Sequence, residues 1–306
     1  MKIFSIFDDF SQEAIKILTD NGIEVDLLPK GEARPSGEAL KKLIYEYDGV
    51  VISTAQKVTE DMLADVTTKK VIATASIGVD HIKVPSDKKD LITVVNAPVS
   101  NRLSVAEHVF GLIIALEKNF VNARNLASKG KAKSAMTAKP HDLFGKTLGV
   151  IGTGGIGLTT MNYAKAFGLN LICYSNDSDE RKKEIGEKFV ELDELLKTAD
   201  IVLVTLPYFP ATKNLISEEK IALMKDTATF ISISHSGIVD TKAVIMRAKA
   251  TPKFKVGMDI ESGETYPFFD GAEDNIIITP HIAGGTVQAR LRMFAEVSAN
   301  ICKMKQ

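Results

Sequence analysis

A glycine-rich hexapeptide, Gly152-Thr153-Gly154-Gly155-Ile156-Gly157, is the run best suited to chemistry in this chain. It follows a predicted strand over 147–151 and precedes a helix predicted over 158–167. In such a unit the first glycine permits a tight turn, the second lets the backbone approach a pyrophosphate, and the third lets helix and strand pack closely. Free N–H groups at the helix N-terminus then bind the phosphates. The pattern predicts a dinucleotide site with contacts at Gly152, Gly154, Gly155, Ile156 and Gly157.

The next predicted strand, over 169–174, ends at the run Ser175-Asn176-Asp177, where a dinucleotide site usually has an acidic residue for the ribose hydroxyls. A serine there removes the charge that would repel a 2′-phosphate, which favours NADP. No arginine stands immediately beside it, although Arg181 is close in sequence, and Asp177 or Asp179 could still reach a ribose. We therefore expect NAD or NADP, with Ser175 and Asn176 as contacts.

Alternating strands and helices must position these residues. Short β-rich runs and helical stretches alternate over the first hundred residues, and a second such series begins at Lys146. Two longer helices are predicted, over 101–119 and 285–304. A chain of 306 residues is long enough for two domains, so the sequence predicts an α/β protein with two parallel sheets, each covered by helices.

Composition excludes several classes of function. Lysine and arginine number 38 against 39 aspartates and glutamates, a net charge of −1 that lacks the positive footprint of nucleic-acid binding. No apolar run is long enough to span a membrane, and five histidines without paired spacing predict no metal site. Cys173 and Cys302 are expected to be small core residues. With no signal-peptide pattern at the start, we expect a cytoplasmic protein.

Further runs accompany the glycine motif in a fixed order. They are Ser76-Ile77-Gly78-Val79-Asp80-His81-Ile82, Asn101-Arg102-Leu103-Ser104-Val105-Ala106-Glu107-His108, residues 206–216, Gly257-Met258-Asp259 and Thr279-Pro280-His281-Ile282-Ala283-Gly284. With them the chain resembles the D-isomer-specific 2-hydroxyacid dehydrogenase family along nearly its whole length. The resemblance implies a Rossmann domain, residues 99–285, inserted into a flavodoxin-like α/β substrate domain, residues 1–98 plus 286–306. It also implies NAD(P)-dependent reduction of a small 2-oxo acid to the D-2-hydroxy acid, and a homodimer.

The resemblance also assigns roles to single residues. His281 matches the acid/base that exchanges a proton with the substrate oxygen, and Glu264 matches the glutamate that raises the basicity of that histidine. Backbone N–H groups at Ile77 and Gly78 match the carboxylate-binding segment. The remaining implied contacts are Asn101 and Ser53 for the substrate, and Ser104, Pro207, Thr212 and Asp259 for the cofactor.

One position departs from the family pattern. His235 stands where the family has an arginine that grips the substrate carboxylate and polarises the carbonyl. Three readings follow: His235 is a weaker donor for a different substrate, Arg102 or Arg124 replaces the missing cation, or the protein is a catalytically impaired nucleotide-binding regulator. A phosphoglycerate dehydrogenase is a further alternative. Ser53, in place of that enzyme's phosphate-binding arginine, counts against it, and Asn101 counts for it.

Overall fold

Twelve strands and eleven helices form among the described residues of the computed structural model, which are 1–131, 139–260, 269, 271 and 273–304. The strands are β1 (Lys2–Ser5), β2 (Glu24–Leu27), β3 (Gly49–Ile52), β4 (Lys70–Thr74), β5 (Ile92–Val95), β6 (Thr147–Ile151), β7 (Asn170–Tyr174), β8 (Lys188–Phe189), β9 (Ile201–Val204), β10 (Thr229–Ser232), β11 (Lys255–Asp259) and β12 (Ile276–Thr279). The helices are α1 (Gln12–Asp20), α2 (Gly37–Glu46), α3 (Glu60–Leu63), α4 (Arg102–Glu117), α5 (Phe120–Ser128), α6 (Gly155–Ala166), α7 (Asp179–Ile185), α8 (Leu192–Thr198), α9 (Glu218–Ala222), α10 (Thr241–Ala250) and α11 (Val287–Lys303).

The chain divides into two units, and the first contains both chain ends. It consists of Met1–Asn101 and Thr286–Gln306. Its five parallel strands have the order β2-β1-β3-β4-β5, which is the strand order of flavodoxin-like folds. Every residue of β3 and β4 is buried, as expected of central parallel strands covered on both faces. Helix α11 closes this core, because the ring of Phe294 packs 4.9 Å from Phe7 and 4.8 Å from Phe10.

The second unit, Arg102–Gly285, has a seven-stranded parallel sheet. Its strand order is β12-β11-β10-β9-β6-β7-β8. Counted from the first strand of this unit, that is 7-6-5-4-1-2-3, the Rossmann order with one strand added at an edge. The order reverses between β6 and β9, and in such sheets ligands bind beyond the carboxyl ends of the strands at this switch point. The expected fold class is confirmed in both units.

Helix α4 is buried on most sides and ends earlier than predicted. It stops at Glu117, and Asn119 adopts a left-handed conformation with φ 57° before α5 begins. Asparagine tolerates that region better than most residues, which explains why the predicted helix over 101–119 breaks there. The Glu117 carboxylate is fully buried and accepts hydrogen bonds from Lys146 and Thr229, while Lys255 lies 3.2 Å away. Four elements of the second unit therefore meet at one buried charge.

Membrane-spanning helices and metal-binding clusters are both absent from the described residues. No helix there is long and apolar enough to cross a membrane, and no group of three or more histidine, cysteine, aspartate or glutamate side chains could hold a metal ion. Both cysteines are free thiols. Cys173 is fully buried in the core of the second unit, and this burial raises its pKa to about 12, so it has no thiolate chemistry near neutral pH.

Candidate active site

Gly152 and Gly157, the first and third glycines of the G-x-G-x-x-G pattern, are required by the fold itself. Gly152 has φ 102°, donates its N–H to the Tyr174 carbonyl at 2.9 Å, and accepts a hydrogen bond from the Thr205 hydroxyl at 2.8 Å. A Cβ on Gly157 would lie against the carbonyl oxygen of Gly152, closer than real Cβ atoms approach other atoms. The start of α6 therefore rests directly on the turn that follows β6.

The second glycine leaves open space instead. Gly154 is the N-cap of α6, and a Cβ built on it would meet nothing within 4 Å. No side chain caps this helix and its first turn contains no acidic residue, so the N–H groups of Gly155, Ile156 and Gly157 have no partner within the helix. The protein has no steric need for glycine at 154, whereas a pyrophosphate at the helix N-terminus would need the space. This loop fits the diphosphate of a dinucleotide.

An aspartate lies at the end of β7 where the adenosine ribose is expected. The Asp177 carboxylate accepts a hydrogen bond from the Thr153 hydroxyl of the glycine loop. The Asp177 backbone N–H donates to the Ser175 hydroxyl at 3.0 Å. Burial works to raise the pKa of Asp177, but the hydrogen bonds with Thr153 and Ser175 outweigh it and lower the pKa overall. Asp177 is therefore ionised at neutral pH beside the glycine loop, while Asn176 is exposed.

The sheet of the second unit brings the remaining predicted residues of that unit to one edge. Each follows the carboxyl end of a parallel strand of the same sheet. Gly152 follows β6, Ser175 follows β7, Pro207 follows β9, His235 follows β10 and His281 follows β12. These residues thus lie at the carboxyl edge of one sheet, and Gly152 and Pro207 follow the two strands that flank the switch point.

The loop after β9 is closed by the hydroxyl of Thr212. This hydroxyl accepts the Phe209 N–H at 2.8 Å and contacts the Pro207 carbonyl at 2.9 Å, which tightens the turn at Pro210–Thr212. Tyr208 and Phe209 are left exposed, at 44% and 57%. Thr212 and Pro207 therefore shape a loop with two exposed aromatic rings.

His235 packs against the first of these rings. The imidazole lies 4.6 Å from the Tyr208 ring, with 30° between the planes, and its Nδ1 accepts the Gly237 N–H at 3.0 Å. A ring nitrogen that accepts a hydrogen bond has no proton, so Nε2 is the protonated nitrogen in this arrangement. The ring can then donate only through Nε2, where the family arginine would offer a permanently charged fork of donors.

Arg102 is one of the two arginines that could replace the cation missing at position 235. The Cδ atom of Arg102 lies 3.7 Å from the place that a Gly155 Cβ would occupy. This puts the Arg102 side chain beside the glycine loop. A cation there would stabilise a bound diphosphate.

His281 lies in a strained turn fixed by a buried aspartate. Its φ is 52°, an uncommon value for a residue other than glycine. Both N–H groups that follow, of Ile282 and Ala283, donate to the Asp259 carboxylate at 2.9 Å. The Thr279 hydroxyl, before the turn, lies 2.5 Å from the same carboxylate. Asp259, only 5% exposed, therefore determines the backbone that exposes His281.

Other predicted residues stay predictions. Glu264 lies outside the described residues. Ser104 is buried on α4 at 4% exposure. In the first unit, the Ser53 hydroxyl donates to the Gln56 side chain at 2.6 Å, and the Asn101 side-chain oxygen is buried with no hydrogen-bond partner among the described residues.

The loop at Ile77 and Gly78 is held through its carbonyl groups. Ser76 donates to the Gly78 carbonyl at 2.7 Å, and the Asn96 amide donates to the Ile77 carbonyl at 2.6 Å. Neither backbone N–H of Ile77 or Gly78 has an acceptor within the part of the chain that the structure describes. Two amides are thus available to an anion at the surface of the first unit.

Two residues of this region were not singled out for the site from sequence. Thr279 lies under the His281 turn, and His108 of α4 contacts it, with Nε2 3.0 Å from the threonine hydroxyl. Their separation of 171 positions leaves no local pattern to reveal the contact. The available signal was that both belong to the motif runs 101–108 and 279–284, in which neither residue itself had an assigned role.

Comparison with known proteins identifies the family. A sequence model described as "D-isomer specific 2-hydroxyacid dehydrogenase, NAD binding domain" matches residues 110–283. The chain is 33% identical over 273 residues to hydroxypyruvate reductase of Thermotoga maritima, covering 87% of each protein. This chain belongs to the D-isomer-specific 2-hydroxyacid dehydrogenase family, and its second unit is the NAD-binding domain. The expected nicotinamide cofactor, NAD or NADP, is thereby confirmed.

Solved structures share the fold over nearly the whole chain. D-lactate dehydrogenase of Aquifex aeolicus, in complex with NAD and lactic acid, has a TM-score of 0.78 and 29% identity, covering 100% of this chain and 95% of that one. An acyclic imino acid reductase, Bsp5, in complex with NADPH and D-Arg, has a TM-score of 0.82 and 25% identity, covering 98% and 96%. In contrast, the chain spans about half the length of the D-3-phosphoglycerate dehydrogenases that it matches, between 47% and 57%.

Proposed function

We propose that this chain is an oxidoreductase that reduces a small 2-oxo acid to the D-2-hydroxy acid with a nicotinamide cofactor. The observation that supports this most directly is the His281 turn. Its strained backbone is held by three hydrogen-bond donors to Asp259 at the sheet edge that also contains the glycine loop. Strain of this kind persists only where the surroundings enforce it, and it clusters at functional sites.

His281 supplies the proton in this reaction. A bound reduced nicotinamide would supply the hydride for C2 of the oxo acid. The His281 imidazolium would give its proton to the carbonyl oxygen, which leaves an alcohol and a neutral histidine. In the reverse direction the neutral imidazole removes the hydroxyl proton. Glu264 would raise the basicity of His281, as the family resemblance predicts. Asp259 holds the backbone and leaves the imidazole exposed.

NAD is the proposed cofactor of the two. The ionised Asp177 carboxylate lies beside the glycine loop, where a ribose would bind. A carboxylate accepts hydrogen bonds from ribose hydroxyls and repels a 2′-phosphate. Arg181 and Lys182 are near enough to lower the pKa of Asp177 further, and their charges make the preference for NADH over NADPH moderate rather than absolute.

A second candidate function is favoured by His235. A 2-imino acid, formed from a 2-oxo acid and an amine, is reduced as its protonated iminium, which already has the positive charge that polarises the C=N bond. A fixed arginine beside that carbon would repel it, whereas a histidine has no permanent positive charge. The likeness to an acyclic imino acid reductase at 25% identity also supports this candidate.

The two candidates are separated by a panel of glyoxylate, pyruvate, hydroxypyruvate and branched 2-oxo acids, each with NADH and with NADPH, in the absence and presence of ammonia or methylamine. Amine-independent oxidation of NADH supports oxo-acid reduction, and strictly amine-dependent oxidation supports imine reduction.

His235→Arg is expected to raise kcat/KM for the oxo acid and to lower it for the iminium. His281→Asn should remove turnover and keep nucleotide affinity. Tight nucleotide binding with no turnover on any combination would refute both enzymes in favour of a regulatory protein.

Two further proposals concern the molecule in the cell. We propose a homodimer, which the family resemblance supports and which sedimentation equilibrium would test. We also propose a cytoplasmic location, supported by the two free cysteines, since disulfides are rare in a reducing compartment. Fractionation of the source cells would test it.

A further inference from the structure

A chain of hydrogen bonds between side chains connects helix α4 to the His281 turn. The Nε2 atom of His108 lies 3.0 Å from the Thr279 hydroxyl, and that hydroxyl lies 2.5 Å from an oxygen of the Asp259 carboxylate. The carboxylate in turn accepts the N–H groups of Ile282 and Ala283 at 2.9 Å. Three elements far apart in sequence, α4, β11 and β12, are thus joined at the backbone on either side of His281.

The proton positions along this chain of hydrogen bonds follow from which groups can donate and which can only accept. An ionised carboxylate can only accept, so Thr279 must donate its single hydroxyl proton to Asp259. The threonine oxygen then accepts from His108, whose Nε2 must bear a proton. The direction of donation is therefore from His108 to Thr279 to Asp259.

Without His108, the Thr279 hydroxyl could donate to either of two acceptors. Its hydroxyl also lies 3.4 Å from the Met258 carbonyl, an alternative acceptor. The N–H of His108 occupies a lone pair of the hydroxyl oxygen and so directs the hydroxyl proton toward the carboxylate. Asp259 is buried, at 3% side-chain exposure, so water does not readily replace a missing partner of its carboxylate. His108 is partly buried, at 19%.

We propose that His108 and Thr279 are positioning residues, which fix the Asp259 carboxylate and through it the backbone conformation that exposes His281. The proposal rests on the proposed function insofar as His281 is the proton donor. The effect on the backbone does not depend on any activity. Neither residue touches substrate or cofactor in this assignment, since both act on the turn through the Asp259 carboxylate.

Two pairs of variants test the two hydrogen bonds, one pair at Thr279 and one at His108. Thr279→Val removes the hydroxyl, whereas Thr279→Ser keeps it. His108→Leu removes the donor, whereas the amide nitrogen of His108→Gln replaces Nε2. His141→Leu is the matched control, because it removes another histidine of the second unit that is exposed and remote from this chain of hydrogen bonds.

The first measurement is hydrogen–deuterium exchange of peptides that contain the Ile282 and Ala283 amides, on the full chain without substrate. We expect exchange at least about tenfold faster in Thr279→Val and His108→Leu, and near wild-type exchange in Thr279→Ser, His108→Gln and the control, because these amides exchange when their bonds to Asp259 open. Wild-type exchange in both of the first two variants would overturn the proposal. Each link has its own variant, so a failure of one to fold leaves the other to decide.

The second measurement is turnover on the best substrate of the panel. Displacement of His281 should lower kcat about 10- to 100-fold while KM for the nucleotide changes less than about threefold. The apparent pKa of the kcat profile should stay in place, since the chain of hydrogen bonds holds position and exchanges no proton with substrate. Faster exchange with unchanged kcat would overturn the positioning role. If the wild type reduces none of the compounds, the proposed function fails, and the exchange result still decides whether the two residues fix the turn.

Discussion

Replacement of single glycines in the hexapeptide by alanine separates the fold's need for glycine from the cofactor's need. In Gly157→Ala the new Cβ would press on the Gly152 carbonyl oxygen and lie 3.2 Å from both its carbon and the Thr205 hydroxyl. Backbone cannot rotate away as a side chain can, so the start of α6 must shift outward. In Gly154→Ala the new Cβ meets nothing within 4 Å, and φ of −70° suits alanine.

The magnitudes follow from these contacts. Overpacking against an unyielding neighbour costs about 1–3 kcal/mol, and we expect the upper end for Gly157→Ala because the obstacle is backbone. In a domain of this size about 3 kcal/mol corresponds to a Tm lowered by roughly 6–12 °C. Gly154→Ala should stay within about 1 kcal/mol of wild type. Its methyl group would instead occupy the space of the pyrophosphate and raise Kd for NADH at least about tenfold, about 1.4 kcal/mol.

The assays are thermal unfolding without nucleotide and calorimetric titration with NADH. Gly157→Ala should lose both stability and affinity, whereas Gly154→Ala should lose affinity alone. A Tm of Gly157→Ala within about 2 °C of wild type would refute the steric argument. An unchanged Kd in Gly154→Ala would show that the open space beside the helix N-terminus is not where the diphosphate binds.

The remaining predictions concern charge. Asp177→Ser should raise the ratio of NADPH to NADH affinity at least about tenfold by removing an ionised carboxylate near the ribose, and titration with both nucleotides measures it. Burial works to raise the pKa of Glu117, but hydrogen bonds from Lys146 and Thr229 and the charge of Lys255 outweigh it, and the pKa is lowered overall. The stabilisation by Glu117 is therefore complete above its unfolded pKa of about 4.3 and is lost as pH falls through the folded value. At pH 7, Glu117→Gln should cost about 3–5 kcal/mol in urea unfolding by leaving two lysines without their carboxylate, and this difference from wild type should shrink in acid.

Local patterns predicted the parts of the fold that depend on neighbouring residues. The strand predicted before the hexapeptide is β6, and the alternation of strands and helices correctly indicated two parallel sheets. The helix after the hexapeptide begins at Gly155, three positions before the predicted start at 158, because the glycine turn is itself the first turn of the helix. Hydrophobic periodicity begins only where side chains pack, so it missed this turn.

Contacts between distant segments could not be predicted in the same way. The sequence left open whether Asp177 or Asp179 could reach the ribose, and in the structure the carboxylate that contacts the glycine loop, through a hydrogen bond with Thr153, is that of Asp177. The direction of the Asp177 side chain depends on how the ends of β6 and β7 lie side by side. The contact between His108 and Thr279 likewise depends on α4 crossing the sheet, which no spacing in the sequence encodes.

The substitution at position 235 concerns charge more than shape. A histidine whose Nδ1 accepts the Gly237 N–H and whose ring packs on Tyr208 is held in a defined orientation, so a donor is still provided at this edge of the sheet. What is lost is the fixed positive charge. Such a charge favours a substrate that becomes more negative at the reacting carbonyl, as a 2-oxo acid does, and disfavours one that begins as an iminium cation. We therefore expect the choice between oxo and imino acids to follow this single charge, and His235→Arg tests that expectation directly.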